Sequence, residues 1–215
     1  MPENMATDSQ PPCLPVDSIF SSSSLSQLCD DWDKTEEWVK DGESINRDTV
    51  ASSINEMRYA GRRFVDALRS AQNGDTEEAK RRFSETRDDL IKARHDVIDS
   101  IVGYISEDAN KYRDLVGAGN LHKHFPQYGE LFSLLKKIQS QIVKSRKYRE
   151  KRDMMYDEIM RDDLPKLREF YDTFVESKPA IEQNIQKDEK KERRTIMSLA
   201  FGGVIVIISL VKLLF

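Results

Sequence analysis

Apolar residues recur along most of this chain in steps of three and four, the period of a helix with one buried face. Val50, Ile54, Met57, Gly61, Phe64, Leu68 and Ala71 keep that step and predict a helix over about 48–72. "NGD" at Asn73–Asp75 interrupts it. Gly74 suits a C-cap, and Asp75 or Thr76 suits the next N-cap. A long helix over about 76–116 follows, with Ala79, Phe83, Thr86, Leu90, Ala93, Val97, Ile101, Tyr104, Ile105, Tyr112 and Leu115 on its stripe. "GAGNLHKHFPQYG" breaks it through Gly117 and Gly119, and Pro126 fits the opening turn of a third helix over about 127–162. Leu131, Leu135, Ile138, Ile142, Met155 and Ile159 face inward there. The middle of that helix, "KSRKYREKRDMMYDE", is thin in apolar residues apart from Tyr148. Pro165 marks a break or kink. A fourth helix over about 165–177 carries Leu167, Phe170, Tyr171, Phe174 and Val175, and Pro179 is expected to end it. No alternating strand pattern with hairpin turns occurs. The expected fold is all-α: an elongated antiparallel up-down bundle of about four helices, roughly 50–60 Å long, plus a single C-terminal transmembrane helix.

The transmembrane expectation rests on "RRTIMSLAFGGVIVIISLVKLLF". From Thr195 to Val211 no side chain is charged, and with Lys212 tolerated the run covers about 21 residues. At ~1.5 Å per residue this is roughly 30 Å, the thickness of a bilayer's hydrocarbon core. Leu199, Phe201, Val204, Ile205, Ile207, Ile208, Leu210 and Val211 are the expected anchor, and Lys212 would snorkel to the far headgroups. A core helix would keep a wider polar stripe than Thr195, Ser198 and Ser209 provide. Upstream, "KDEKKERR" holds Lys187, Lys190, Lys191, Arg193 and Arg194. Basic flanks stay cytoplasmic and suit anionic headgroups, so Lys190, Lys191, Arg193, Arg194 and Lys212 are expected headgroup contacts. These features describe a tail-anchored, single-pass protein with its N-terminal part in the cytosol. The membrane is the bacterial inner membrane or, in a eukaryote, the endoplasmic reticulum or mitochondrial outer membrane.

The N-terminal region reads differently. "SQPPCLP" and "SSSSLSQL" are rich in Pro and Ser and show no sustained period. Residues 1–46 are expected to form a flexible arm with at most a short helix over 25–40, where Leu25, Leu28, Trp32, Trp38 and Val39 recur at near-helical spacing. That helix either docks on the main domain or binds a partner. The expected organisation is thus an arm to 46, a cytosolic bundle over 47–178, a basic connector over 179–194 and the anchor over 195–215.

Charge changes the picture little. The net charge is −4, 33% of residues are charged, and the two signs are interleaved. A nucleic-acid surface normally shows a clear basic excess, so nucleic acid is not the expected partner. Two cysteines, Cys13 and Cys29, exclude a disulfide scaffold and fit a reducing compartment.

Three groupings carry candidate chemistry. His122 and His124 in "HKH" suit metal ligands, but no third ligand stands at standard spacing, so a plain loop is the better reading. "RDDLIKARHD" brings Arg87, Asp88, Arg94, His95 and Asp96 onto adjacent turns, where they either polarise a phosphodiester or pair with one another. Lys144, Arg146, Lys147, Arg149, Lys151 and Arg152 form a basic stretch diluted by Glu150 and Asp153. It suits RNA or an acidic partner, with a solvated face as the default. No P-loop, GxSxG or HExxH motif occurs, and no cofactor, metal or small-molecule ligand is expected.

"GDTEEAKRRFSETRDDLIKARHDVIDSI" followed by "FPQYGELFSLLKKIQSQIVKSR" resembles the small bacterial helical bundles of the HEPN class, over residues 48–175. The resemblance implies a helical bundle and, in catalytic members, an RNase with Arg, four to six spacer residues, then His. Here Arg87 and His95 stand further apart and Arg94 adjoins His95, so neither pair matches. The resemblance therefore implies a non-catalytic binding module. The leading expectation is a membrane-tethered interaction or scaffold protein that binds a protein partner or its own copies. The alternatives are a membrane-bound HEPN-type RNase or toxin in defence, using Arg87, Arg94 and His95, and a membrane-disrupting effector that oligomerises through its span.

Overall fold

The computed structural model describes residues 19–214, with side chains described through Leu199. Among them it is helical throughout: α1 Ser22–Asn46, α2 Ala51–Gln72, α3 Thr76–Val116, α4 Ala118–His124, α5 Tyr128–Lys147, α6 Arg152–Glu158 and α7 Leu164–Leu214. A 3₁₀ turn (Arg149–Lys151) precedes α6 and a π turn (Ile159–Asp163) follows it. The described residues form two compact units. The first holds residues up to Ile105 with Gln141–Met160; the other holds Ser106–Ser140 with the residues from Arg161 onward.

Local signals set most boundaries. Gly74 and Gly117 take positive φ, 78° and 84°, which glycine adopts without strain. The Asp75 carboxylate accepts from the Glu78 amide at 3.1 Å and caps α3. Ser21 caps α1 by accepting from the Ser24 amide at 3.1 Å.

In the first unit α3 is the central element. Leu90, Ala93, Val97, Ile98, Ile101, Val102 and Ile105 are all buried. Phe20 stacks on Phe83 with ring centroids 4.7 Å apart, and Leu28, Ala60, Ala67 and Ala71 close around them. The innermost line of α2 is Ser53, Ala60, Ala67 and Ala71, with Met57, Phe64 and Leu68 half-buried beside it. Small alanines admit close helix approach, so the larger residues are displaced to the flanks.

The other unit centres on Phe174. The Tyr112 and Phe125 rings each lie 5.4 Å from it. Leu121, Leu131, Leu135, Ile138, Leu167 and Ile181 complete the core. Asp108 accepts from Tyr171 Oη at 2.9 Å and from Lys178 Nζ at 2.7 Å.

Four expectations are corrected. The short helix placed at 25–40 in an otherwise flexible arm is longer and packed: α1 is a 25-residue helix with Leu28, Trp38 and Val39 buried. Its packing is close, since a Cβ on Gly42 would meet Val97 Cγ1 at 3.0 Å. The predicted third helix is interrupted at Tyr148, where the apolar pattern thins. Pro179 lies inside α7 rather than ending it. A proline there forfeits one backbone hydrogen bond, but buried Phe174 and Ile181 hold the helix on both sides, and Tyr112 Oη donates to the Lys178 carbonyl at 3.0 Å. Leu115, expected on the inner stripe, is 76% exposed near the end of α3.

The expected membrane span falls mostly on side chains outside those described. The α7 backbone stays helical to Leu214. Among the described residues no helix is long and apolar enough to cross a membrane. Of the expected anchor, Leu199 is described, and Phe201, Val204, Ile205, Ile207, Ile208, Leu210, Val211 and Lys212 have side chains outside that set.

Candidate functional site

Arg87 and Arg94 stand seven residues apart on α3, two turns, and therefore share a face. They do not pair with neighbours on their own helix. Both reach α1: Arg87 Nε donates to Asp31 Oδ2 at 3.3 Å, and Arg94 donates to the Asp31 carbonyl at 3.2 Å and to Thr35 Oγ1 at 3.0 Å. The Arg94 guanidinium also lies 5.9 Å from the centre of the Trp38 ring. Only 8% of Arg94 is exposed. Burial of this cation is offset by hydrogen bonds, the Asp31 carboxylate 3.6 Å away and the indole face.

His95 is the next residue, about 100° further round the helix, and it meets a different neighbourhood. Its ring stacks on Tyr156 of α6 with centroids 4.0 Å apart, and only 4% of the residue is exposed. Nε2 lies 3.3 Å from the Asp153 carboxylate. Nδ1 is buried with no hydrogen-bond partner among the described residues. Burial, then the Arg152 and Arg94 guanidiniums, push its pKa down to about 4. The Asp153 carboxylate pulls the other way, but that side chain is 61% exposed and its charge is screened by water. His95 is thus a neutral imidazole at neutral pH, with Nε2 facing the Asp153 carboxylate.

The wall around His95 is itself polar. Tyr156 Oη donates to Asp99 Oδ1 at 2.8 Å, and Arg146 reaches the other oxygen of Asp99 at 3.4 Å. Burial, reinforced by the bond to Asp99, pushes the Tyr156 pKa up to about 12. Asp96 sits above the usual carboxylate range because it is partly buried and close to Asp99. The arrangement is a stacked, neutral imidazole–phenol pair inside a charged rim. The two rings are buried, His95 at 4% and Tyr156 at 1% exposure, while the Asp153 carboxylate on the rim is open to water.

The structure therefore separates the three residues of the alternative RNase reading, the leading expectation being no catalytic site. Arg87 and Arg94 converge on Asp31, and His95 turns to Tyr156. The partners missed in sequence are Asp31, Thr35 and Trp38 on one side and Asp99, Asp153 and Tyr156 on the other. The i, i+4, i+7 spacing of Asp31, Thr35 and Trp38 is the available signal for a polar-aromatic face on α1.

The histidine pair of α4 also divides. His124 Nε2 lies 3.1 Å from Asp188 Oδ2, which Lys123 also contacts, while the His122 ring packs edge-on to Tyr128. Among the described residues no group of three or more His, Cys, Asp or Glu side chains is placed to hold a metal. A cavity of about 340 Å³ is lined by Leu25, Leu28, Trp32 and Phe64. Thr86 at its wall already donates to the Arg82 carbonyl, so this hydroxyl proton is not free to orient a ligand.

The basic stretch presents the opposite state. Lys144, Lys147, Arg149 and Lys151 are exposed at the end of α5 and in the turn after it. Comparison of the chain with models of known protein families, with curated proteins and with solved structures gives no match in any of the three.

Proposed function

We propose that this chain is a membrane-anchored, non-enzymatic interaction module, with a helical body facing the cytosol and residues 195–215 in the bilayer. One observation carries the reading. Helix α7 continues unbroken to Leu214, and three of its last five described side chains are apolar and uncovered: Ile196 and Met197 are each 59% exposed and Leu199 71%. The uncharged run from Thr195 to Val211 follows directly, and a helix of that length and composition is stable in lipid. Lys190, Lys191, Arg193 and Arg194 are exposed on the turns before it, within reach of anionic headgroups. Anchoring raises the effective concentration of the body for partners on the same membrane without any new contact.

Burial of His95 and Arg94 weighs against the RNase reading, because both side chains are occupied within the fold. Replacing His95 by Ala should leave any RNA cleavage by the full chain unchanged; loss of a measurable cleavage would revive that reading. The anchor is tested by fractionation. The full chain should stay in the membrane pellet after an alkaline carbonate wash, and recovery in the supernatant would overturn the proposal. Orientation is read by adding protease to sealed vesicles whose cytosolic face is outward, where the body should be digested. Leakage of dye from vesicles carrying the full chain would favour a membrane-disrupting effector instead.

A further inference from the structure

Most arginines of the first unit are paired. Arg62, Arg63, Arg69, Arg81, Arg82, Arg87 and Arg94 all reach carboxylates within ion-pair distance. Residues 143–152 depart from that rule. They hold six basic residues and one acidic one, in a chain whose net charge is −4. Arg146 has Asp99, but Lys144, Lys147, Arg149 and Lys151 have no ion-pair partner among the described residues. Apolar side chains are exposed between them: Val143 at 56%, Tyr148 at 53% and, just beyond, Met154 at 54%. Cations around an uncovered aromatic and two uncovered aliphatic groups have the composition of an interface rather than of a solvated face.

The same unit carries the complementary surface. Asp30, Asp33, Glu37 and Asp41 recur in steps of three and four and so form one stripe along α1. Asp30, Asp33 and Glu37 are exposed, and Asp41 is half-exposed. None of the four has an ion-pair partner among the described residues, whereas Asp31 and Glu36 on the same helix are occupied by Arg87 and Arg94 and by Trp32 and Lys40. Thus one unit presents an unneutralised basic segment and an unneutralised acidic stripe. A polyanion such as RNA would be drawn to the first surface and repelled by the other. Another copy of this chain satisfies both.

We infer that the chain self-associates, with the basic segment 143–152 of one copy docking on the acidic stripe Asp30–Asp33–Glu37–Asp41 of α1 in another. The inference rests on the reading of the chain as an interaction module and names its partner. With two-fold symmetry each pair of copies makes the contact twice; without it the contact propagates into a chain of copies. Opposed charges set the register and the rate of encounter, and Tyr148 and its apolar neighbours supply area to bury.

The test uses full-length protein in uncharged detergent micelles, in donor-labelled and acceptor-labelled populations, with energy transfer as the readout. Reversing the segment (Lys144→Glu, Lys147→Glu, Arg149→Glu, Lys151→Glu) or the stripe (Asp33→Lys, Glu37→Lys, Asp41→Lys) should each weaken self-association by ~10-fold or more, as should salt high enough to cut the Debye length to ~3 Å. Mixing the two variants should restore it, because each reversed surface now meets its opposite. Circular dichroism checks that both variants keep wild-type helix content, and simple unfolding could not produce recovery on mixing. Association of either variant at wild-type strength overturns the inference, and so does a mixture that fails to recover. It is also overturned if the reversed segment loses binding to phosphatidylserine vesicles or to single-stranded RNA while self-association is unchanged. Carbonate extraction of the same variants reports the anchor separately. A protein that pellets yet does not self-associate sinks this inference alone.

Discussion

Residues 87–96 and residues 143–152 are both dense in arginine and lysine, and both lie in the first unit, yet their charges end in opposite states. On α3, Arg94 and His95 are almost fully buried, and each is met by groups from another element, Asp31 and Thr35 for one and Tyr156 for the other. At the end of α5 and in the turn after it, Lys144, Lys147, Arg149 and Lys151 stay in water without a counter-charge among the described residues. The α3 grouping has the composition of a reactive site in sequence and is structural in three dimensions. The 143–152 segment reads in sequence as a plain solvated face, and it is a surface whose charges are still free to interact. Buried polar groups are fixed by their partners, whereas exposed, unpaired charge at low desolvation cost remains available to another molecule.

The comparison predicts a graded series of effects. Arg94→Ala should be the most damaging, at about 3 kcal/mol in denaturant unfolding, because it strips Thr35 and Asp31 of a buried charged donor. A loss under about 1 kcal/mol would mean that this face of α1 is not held by it.

Acid comes next. Burial holds His95 near pKa 4 against an ordinary 6.5, so the unfolded chain takes up that proton first as pH falls. The contribution is whole above the ordinary value and is lost as pH drops toward 4, by roughly 3 kcal/mol in total. His95→Gln should flatten this loss relative to wild type across that window. Parallel pH profiles for the two proteins would show that other groups carry the acid sensitivity.

Tyr156→Phe keeps the stack on His95 and removes only the bond to Asp99. It should cost about 1–2 kcal/mol. Smallest of all, Lys144→Ala and Lys151→Ala should change stability by no more than ~0.5 kcal/mol, since neither side chain has an ion-pair partner among the described residues. A loss above about 1 kcal/mol at Lys151 would place that residue on the structural side of the comparison instead.

Helix boundaries are legible wherever a local cause sets them. Gly74 with Asp75, and Gly117, mark the ends of α2 and α3 within a residue or two, because a left-handed residue or a capping carboxylate acts on its own turn. Pro179 misleads for the complementary reason. Its local preference for a break is real, but packing at Phe174 and Ile181 outweighs it. The extent of α1 escapes the sequence because a run of serines offers several equivalent caps and the periodicity is weak, and its order comes from burying Leu28, Trp38 and Val39. At the candidate site, membership of Arg87, Arg94 and His95 is readable, but their partners are not. Asp31 lies 63 positions before Arg94, and Tyr156 lies 61 after His95.

Sequence alone determined that this is a chain of amphipathic helices with an uncharged stretch near its end, because periodicity, capping and hydropathy act over one or two turns. Tertiary structure alone decided what neutralises Arg87 and Arg94 and what is left unpaired in residues 143–152 among the described residues. Arg62, Arg81 and Arg82 pair within their own helices, but whether Arg87 or Arg94 meets a carboxylate depends on which distant helices pack together, and a helical stripe specifies a face without specifying its neighbour. That is why "RDDLIKARHD" became part of the interior of the first unit, and "KSRKYREKR" remained on its surface.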